Sequence, residues 1–465
     1  MTAQPQATRG GSVEKVPFIA KMATAATRWS TRWVPDAYVL AIILTVLAAV
    51  LALSFTPTNV PKLVEYWGKG FWALLTFAMQ MALVIFSGYI LAVAPPVSKV
   101  LDKIAGLAKT PRQAISLMAV VSMGLALFNW GLSIVGSAVF VRFIARKVKG
   151  VDYRLLVAAA YLGLGTTWHA GLSASAPLLV ATPGHFLEKT IGIIPVTQTI
   201  FHPFNMIVVG IIVLALAFLT PWLHPSKEDT VTVDPAVLAD MKDFERPVRQ
   251  EKTPATAMEF SWILTALIGI TAVWYVVIYF RGKGLSALDI NTVNFVCLML
   301  GVVMHGTPAS LLKAADEAGR YIWGVVLQFP FYAGIFGIVQ YSGLSDVIGN
   351  WFVSIATKTT YLLIVFWYSG ILNYIVPSGG SKWAIEAPYI MAAGKTLGVS
   401  NSMTVISYAW GDMFTDIIQP FWAIPLLGVA KLKFRDIMGF CMVIFLFYAV
   451  VTSVAFLLGP TVFGL

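Results

Sequence analysis

Five ionisable side chains, His169, Lys382, Glu386, Asp412 and Asp416, lie inside strongly apolar stretches of the sequence. Charge in hydrocarbon is costly, so such residues mark ion pathways, proton relays or ligand contacts. Asp412 and Asp416 stand four apart in "GDMFTDIIQP", with Thr415 between them and Gln419 after them. Carboxylate, hydroxyl and amide oxygens at this spacing, beside carbonyls freed by a helix break, suit coordination of Na⁺ or carriage of a proton. The plainer alternative is that they cap the ends of a broken helix. Lys382 and Glu386 are also four apart and can pair with each other. His169 suits proton transfer, although a lone histidine is as readily a hydrogen-bonded structural residue. No structural metal site is expected; Na⁺ enters only as a coupling ion at Asp412, Thr415, Asp416, Gln419 and His169.

Uncharged polar residues gather in the same places. The stretches "NWGLSIVGS" (129–137), "GTTWHAGLSASAP" (165–177), "NYIVPSGGSK" (373–382) and "GDMFTDIIQP" (411–420) all carry glycine or proline where a membrane helix should continue. Irregular backbone at membrane depth is tolerated where it lines a cavity. Helix N-termini that face each other there expose free N–H groups and the positive end of the helix dipole, which suits a carboxylate. The candidate substrate contacts are Asn129, Gly131, Ser133, Thr166, Thr167, Ser173 and Ser175 from the first half, and Asn373, Ser378, Gly379, Gly380 and Ser381 from the second. Small residues also serve helix packing, which is the competing explanation for any one of them. Trp130, Trp168, Tyr374, Trp383, Trp410, Phe414, Phe421 and Trp422 crowd these loops. An apolar wall beside an anion-binding spot suits a small monocarboxylate with a hydrocarbon tail. A dicarboxylate would need a second cationic spot, and only Lys382 offers one. His169 with Ser173 or Ser175 could be imagined as a nucleophile pair, but no GxSxG, HExxH or paired-histidine motif accompanies them. The chain is read as a transporter and not an enzyme.

The elements that must position these residues are membrane helices. Hydrophobic types make up 58% of the 465 residues and charged types 12%, where a soluble protein carries about 25%. Nine crossings are expected, near 36–55, 71–93, 155–182, 203–222, 260–280, 289–306, 321–343, 402–430 and 437–458. Two further apolar stretches, 112–146 and 361–394, are read as re-entrant hairpins. With the N-terminus inside, the segments then cytoplasmic hold 24 of the 32 Lys and Arg residues, in accord with the positive-inside rule. This places the C-terminus outside. It also explains the net charge of +10 without nucleic acid. The first span serves as the insertion signal, and no cleavable leader is expected. Cys297 and Cys441 lie within apolar spans and imply no disulfide framework.

The halves resemble each other weakly. Asp36 and Asp289 each open a span that closes on Thr-Pro, at 56–57 and 307–308. "FW" at 71–72 matches "YIW" at 321–323, and "FNWG" at 128–131 matches "LNYI" at 372–375, all at an offset near 250. Five crossings separate the two starts, so the repeat is inverted, an architecture of secondary transporters with a site at the midplane. The expected division is a basic tail (1–34), repeat one (35–222, with hairpin 112–146 and broken helix 155–182), a cytoplasmic linker (223–259), a connecting helix (260–280) and repeat two (281–465, with hairpin 361–394 and broken helix 402–430). The fold class is all-α polytopic membrane protein.

At these motifs the sequence resembles a known family. "VPSGGSKWAIEAP" and "WGDMFTDIIQPFWAIPLLG", with "FNWGLSIVGS" and "TTWHAGLSASAPL", look like segments of the AtoE-like short-chain fatty acid transporters of the ion transporter superfamily. The resemblance runs from about residue 30 to the C-terminus. It implies uptake of short-chain fatty acids such as butyrate, or of acetoacetate, across a bacterial inner membrane, coupled to Na⁺ or H⁺. It further implies a lipid-embedded homodimer with a scaffold and a mobile transport domain, 112–182 with 361–430, moving as an elevator. The tips here read "NWG" and "PSGGS" in place of the superfamily's Ser-Asn-Thr type signature.

Overall fold

The computed structural model describes residues 37–462 apart from 242, 243 and 376, together with 32 and 35. The basic tail expected at 1–34 therefore lies almost wholly outside the described residues. Helices account for the regular structure, and no strand occurs among the described residues.

The first half runs through α1 (Ala37–Phe55), α2 (Val60–Gly70), α3 (Leu75–Val93), α4 (Pro95–Ala105), α5 (Pro111–Phe128), α6 (Trp130–Lys147), α7 (Tyr153–Thr166), α8 (Ser175–Leu179) and α9 (Pro203–Trp222). After the linker, α10 (Trp262–Lys283) leads into α11 (Ile290–His305), α12 (Pro308–Gly319), α13 (Trp323–Tyr341), α14 (Leu344–Ile355), α15 (Tyr361–Ile375), α16 (Gly379–Thr396), α17 (Asn401–Phe414), α18 (Pro420–Ala430) and α19 (Phe434–Val462). The order of long, short and interrupted helices in α1–α9 thus recurs in α11–α19. Packing recurs with it. Helices α1 and α2 pack on α13, while α11 and α12 pack on α3; α5 lies along α7 as α15 lies along α17; α6 meets α4 as α16 meets α14.

Local chemistry sets these ends. Asn59, Thr110, Asn129, Asp152, Asp289, Thr307 and Ser400 each accept a hydrogen bond from the amide three residues on, satisfying a donor that the first helical turn leaves free. Proline stands at the start of α4, α5, α9 and α12, where its missing N–H costs nothing.

Burial separates the helices into two kinds. Every residue of α7 except Arg154 is buried, and α17 is buried from Met403 onward. Helix α10, by contrast, buries only Thr265, Gly269 and Ala272. A helix apolar all round but exposed to its surroundings faces lipid. Nine described helical segments are long and apolar enough to cross a membrane, so the chain is a multi-pass membrane protein. Their set differs from the expected one. Pro111–Phe128, read as half of a hairpin, is long enough to span, while Ile290–His305, read as a crossing, has only 16 residues. It is cut short because Gly306 adopts a left-handed conformation (φ 77°), a helix-terminating geometry that glycine adopts without strain.

Candidate functional site

Helices α7 and α17 both stop at mid-course. After Thr166 the chain forms a 3₁₀ turn, Trp168–Ala170, and after Phe414 another, Asp416–Ile418. Each turn packs against the other half's interrupted helix. This crossing brings the five ionisable residues of the sequence into one buried set, with fractional exposures of 0–2%.

His169 Nε2 accepts from the Ala176 N–H (3.2 Å), which leaves Nδ1 to donate to Asp412 Oδ2 (2.8 Å). The geometry selects the neutral imidazole. The other Asp412 oxygen lies 3.1 Å from Lys382 Nζ, and the same ammonium lies 3.1 Å from Glu386 Oε1. Lys382 also donates to the Ser369 carbonyl and hydroxyl oxygens, at 3.0 and 2.8 Å, and sits 4.3 Å from the centre of the Tyr408 ring. Ser369 in turn donates to Glu386 Oε2 (2.7 Å). The pairing of Lys382 with Glu386 was legible from their spacing; the bridge to Asp412 and the part played by Ser369 were not. Asp416 receives hydrogen bonds from Asn373 Nδ2 (2.7 Å) and Trp168 Nε1 (3.0 Å). Asp412 and Glu386 thus share one ammonium, Asp412 also meets a neutral imidazole, and Asp416 pairs with neither.

The tip of α16 abuts this set. A Cβ built on Gly379 would come within 2.6 Å of Asp412 Oδ2 and 2.8 Å of the Trp168 ring, so only glycine fits. The helix N-terminus is therefore already turned toward a carboxylate of the protein, a pairing its dipole favours. Beside it, Ser378 Oγ donates to Ser381 Oγ (2.9 Å), and Gly380 faces Phe77 and Phe329.

The other candidate substrate contacts divide. Ser133 donates to the Ser122 carbonyl (2.8 Å), Thr166 to Leu162 (2.7 Å), and Thr167 to Met123 (3.1 Å) and Gly163 (3.2 Å). Ser173 Oγ accepts from the Trp130 N–H (2.9 Å), and Ser175 donates to Met81 Sδ (3.5 Å). The Thr166 hydroxyl bonds within its own helix, and the others tie neighbouring segments to one another. Asn129 Oδ1 accepts from Leu132 N (2.9 Å) and its Nδ2 donates to the Val84 carbonyl (3.3 Å). Thr415 donates to the Gly370 carbonyl (2.8 Å), and the Gln419 carbonyl accepts from Tyr161 (3.1 Å).

Gly131 is different, for it lines a cavity. A pocket of about 170 Å³ is walled by Trp130, Gly131, Ile134 and Trp422. It shares Tyr89, Val135, Ala138, Tyr321, Pro425 and Val429 with a larger cavity of about 870 Å³. That outer cavity is lined by Lys99, Arg142, Lys313 and Lys431 against Glu245 and Glu317. An anion entering it meets excess positive charge before reaching the apolar pocket. The pocket wall touches the ionisable set. Trp130 and Trp168 are edge to face with centroids 6.2 Å apart, and Trp168 stacks on His169 at 4.3 Å. Tyr89, Ile134, Tyr321 and Pro425 were missed in the sequence, because apolar residues of a cavity wall look like those of a core.

Comparison with known proteins bears on what such a site handles. The family described as Short chain fatty acid transporter matches residues 18–458. A protein of Escherichia coli (strain K12) named for short-chain fatty acid transport is 39% identical over 446 residues, 96% of this chain and 100% of its own. One of Haemophilus influenzae with the same name is 37% identical over 439 residues, 93% of this chain and 98% of its own. Among solved structures, the Alcanivorax borkumensis YdaH transporter, described as having an unusual topology, aligns with a TM-score of 0.51 over 96% of this chain and 99% of that one. At 15% identity that likeness is one of fold.

Proposed function

This chain belongs to the short chain fatty acid transporter family, a family of transporters and not of enzymes, and from that premise we propose that it imports short-chain monocarboxylates such as butyrate by symport with Na⁺ or H⁺. The observation that carries the reading is the apolar pocket at the tip of α6, reached through a basic vestibule and backed by Trp130 on Trp168. The vestibule attracts the carboxylate and the pocket accepts the hydrocarbon tail. At about 30 Å³ per water-sized group the pocket holds on the order of six such groups, the size of a four-carbon acid.

The buried set supplies the coupling. Its carboxylates outnumber its ammonium, and a buried charge excess is stable only when neutralised. A cation that binds with substrate meets this need, and the buried carboxylates, Asp412 and Asp416 among them, supply the negative charge that draws it in this reading. The reciprocal packing of α1 and α2 on α13, and of α11 and α12 on α3, supports an inverted repeat. The vestibule is lined by Lys99, Lys313 and the linker residues Met241, Phe244 and Glu245, segments read as cytoplasmic, so the conformation is inward-open. In this reading the protein works in the bacterial inner membrane as a homodimer with its N-terminus in the cytoplasm, and α5–α8 with α15–α18 move as one body against the scaffold.

Uptake of labelled butyrate into proteoliposomes tests the function. Accumulation above equilibrium is expected under an imposed Na⁺ or proton gradient, with succinate failing to compete. Equilibration without accumulation under either gradient would leave a passive pore, and exchange of succinate but not butyrate would move the substrate class to dicarboxylates.

A further inference from the structure

Asp412 and Asp416, four residues apart on the same interrupted helix, have unlike surroundings. Asp412 is held between Lys382 Nζ and His169 Nδ1, at 3.1 and 2.8 Å. Asp416 accepts only from neutral donors, Asn373 Nδ2 and Trp168 Nε1. No lysine, arginine or histidine pairs with it among the described residues. A carboxylate 2% exposed without a countercharge is the member of the set most in need of one.

A second observation points to the same place. Asn373 Oδ1 is buried and has no hydrogen-bond partner, although Nδ2 of the same amide contacts both Asp416 Oδ1 (2.7 Å) and Thr415 Oγ1 (3.3 Å). An idle buried acceptor is rare and calls for an explanation. These oxygens gather at the C-terminal end of α17, where the helix dipole favours positive charge.

We propose that the coupling cation neutralises Asp416, with Asn373 as its neutral partner, and that Asp412 is a permanently paired anchor holding His169 and Lys382 together. This rests on the reading of the chain as a cation-coupled carrier. Asn373 presents its NH₂ to Asp416, the orientation that an ionised carboxylate favours. With the cation bound, whether Na⁺ or a proton on the carboxyl group, the amide turns over and offers Oδ1, which a bare carboxylate would repel. The charged and titratable groups around Asp416 are Asp412 on α17, Lys382 and Glu386 on α16, His169 in the break after α7, Tyr161 on α7, whose hydroxyl donates to the Asp416 carbonyl (2.8 Å), Tyr408 on α17 and Tyr448 on α19.

Butyrate counterflow by the full-length protein in proteoliposomes, titrated with Na⁺ at fixed pH and with pH at fixed Na⁺, tests this; the arm that stimulates the wild type identifies the cation. Asp416→Asn is expected to lose that stimulation, its ratio of transport with and without the cation falling to near one. Asp412→Asn is expected to transport less at every cation concentration but to keep the wild-type ratio. Asn373→Leu is expected to raise the half-saturating cation concentration about tenfold, the scale of one lost buried interaction. An Asp416→Asn protein still stimulated like the wild type overturns the proposal, as does loss of the ratio in Asp412→Asn alone. Should Asp416→Asn not fold, an unchanged cation dependence in Asn373→Leu overturns it. Wild-type counterflow that responds to neither cation refutes the underlying reading of cation coupling, a distinct result seen before any variant is made.

Discussion

At the scale of single residues, Lys382 holds the site together. It is the one ammonium among three buried carboxylates, and it touches Asp412, Glu386 and Ser369 at 2.8–3.1 Å. Removing one partner of a buried pair leaves a desolvated charge behind, at a cost of about 3–5 kcal/mol. Lys382→Met should therefore lower the thermal denaturation midpoint of the detergent-solubilised protein sharply, and the double variant Lys382→Met with Glu386→Gln should recover part of the loss. Equal midpoints for Lys382→Met and the wild type would show that the ammonium carries no structural weight. The identity of these ionisable residues was plain in the sequence, since charge at membrane depth is conspicuous. Their partners were not. Lys382 and Asp412 are 30 positions apart, and His169 reaches Asp412 across 243, distances at which spacing says nothing.

At the scale of elements, glycine and proline marked both interruptions, and the structure leaves the α-helix inside both stretches, after Thr166 and after Phe414. Which polar residues would face a ligand was illegible, because hydroxyls that bond neighbouring helices and hydroxyls that line a cavity have the same composition. Thr167 and Ser173 are spent on packing for this reason. The tip of α16 shows how tightly the elements meet. Gly379 →Ala places a methyl group within 2.6 Å of Asp412 Oδ2 and 2.8 Å of Trp168. Neither atom belongs to a flexible chain end, because Asp412 is tied to His169 and Trp168 to Asp416. The substitution should push α16 off the break, lower the melting temperature and reduce butyrate uptake at least tenfold, consistent with overpacking costs of about 1–3 kcal/mol. Gly324→Ala, whose nearest neighbour is the Gln328 side chain at 3.9 Å, is the matched control and should transport normally.

At the scale of the whole molecule, the question is whether the body that holds the site moves. The seam between that body and the rest of the protein is tight where the N-cap of α6 meets α3 and α11. Asn129 at the tip of α6 donates to the Val84 carbonyl on α3, and its Nδ2 lies 4.0 Å from Cys297 Sγ on α11. A thiol at position 129 would therefore fall near Cys297, within adjustment of the spacing a disulfide needs. Asn129→Cys should cross-link to Cys297 under mild oxidation, seen as a mass loss of two hydrogens. It also removes a helix cap, which costs about 1 kcal/mol, so the reduced variant and Asn129→Cys with Cys297→Ser are the references. If α5–α8 and α15–α18 travel past the scaffold in each cycle, oxidation should stop butyrate uptake in the single variant alone, and reductant should restore it. Continued uptake by a fully cross-linked protein would mean that α6 stays fixed against α11 while substrate crosses, and the moving parts would have to be sought in the tips themselves.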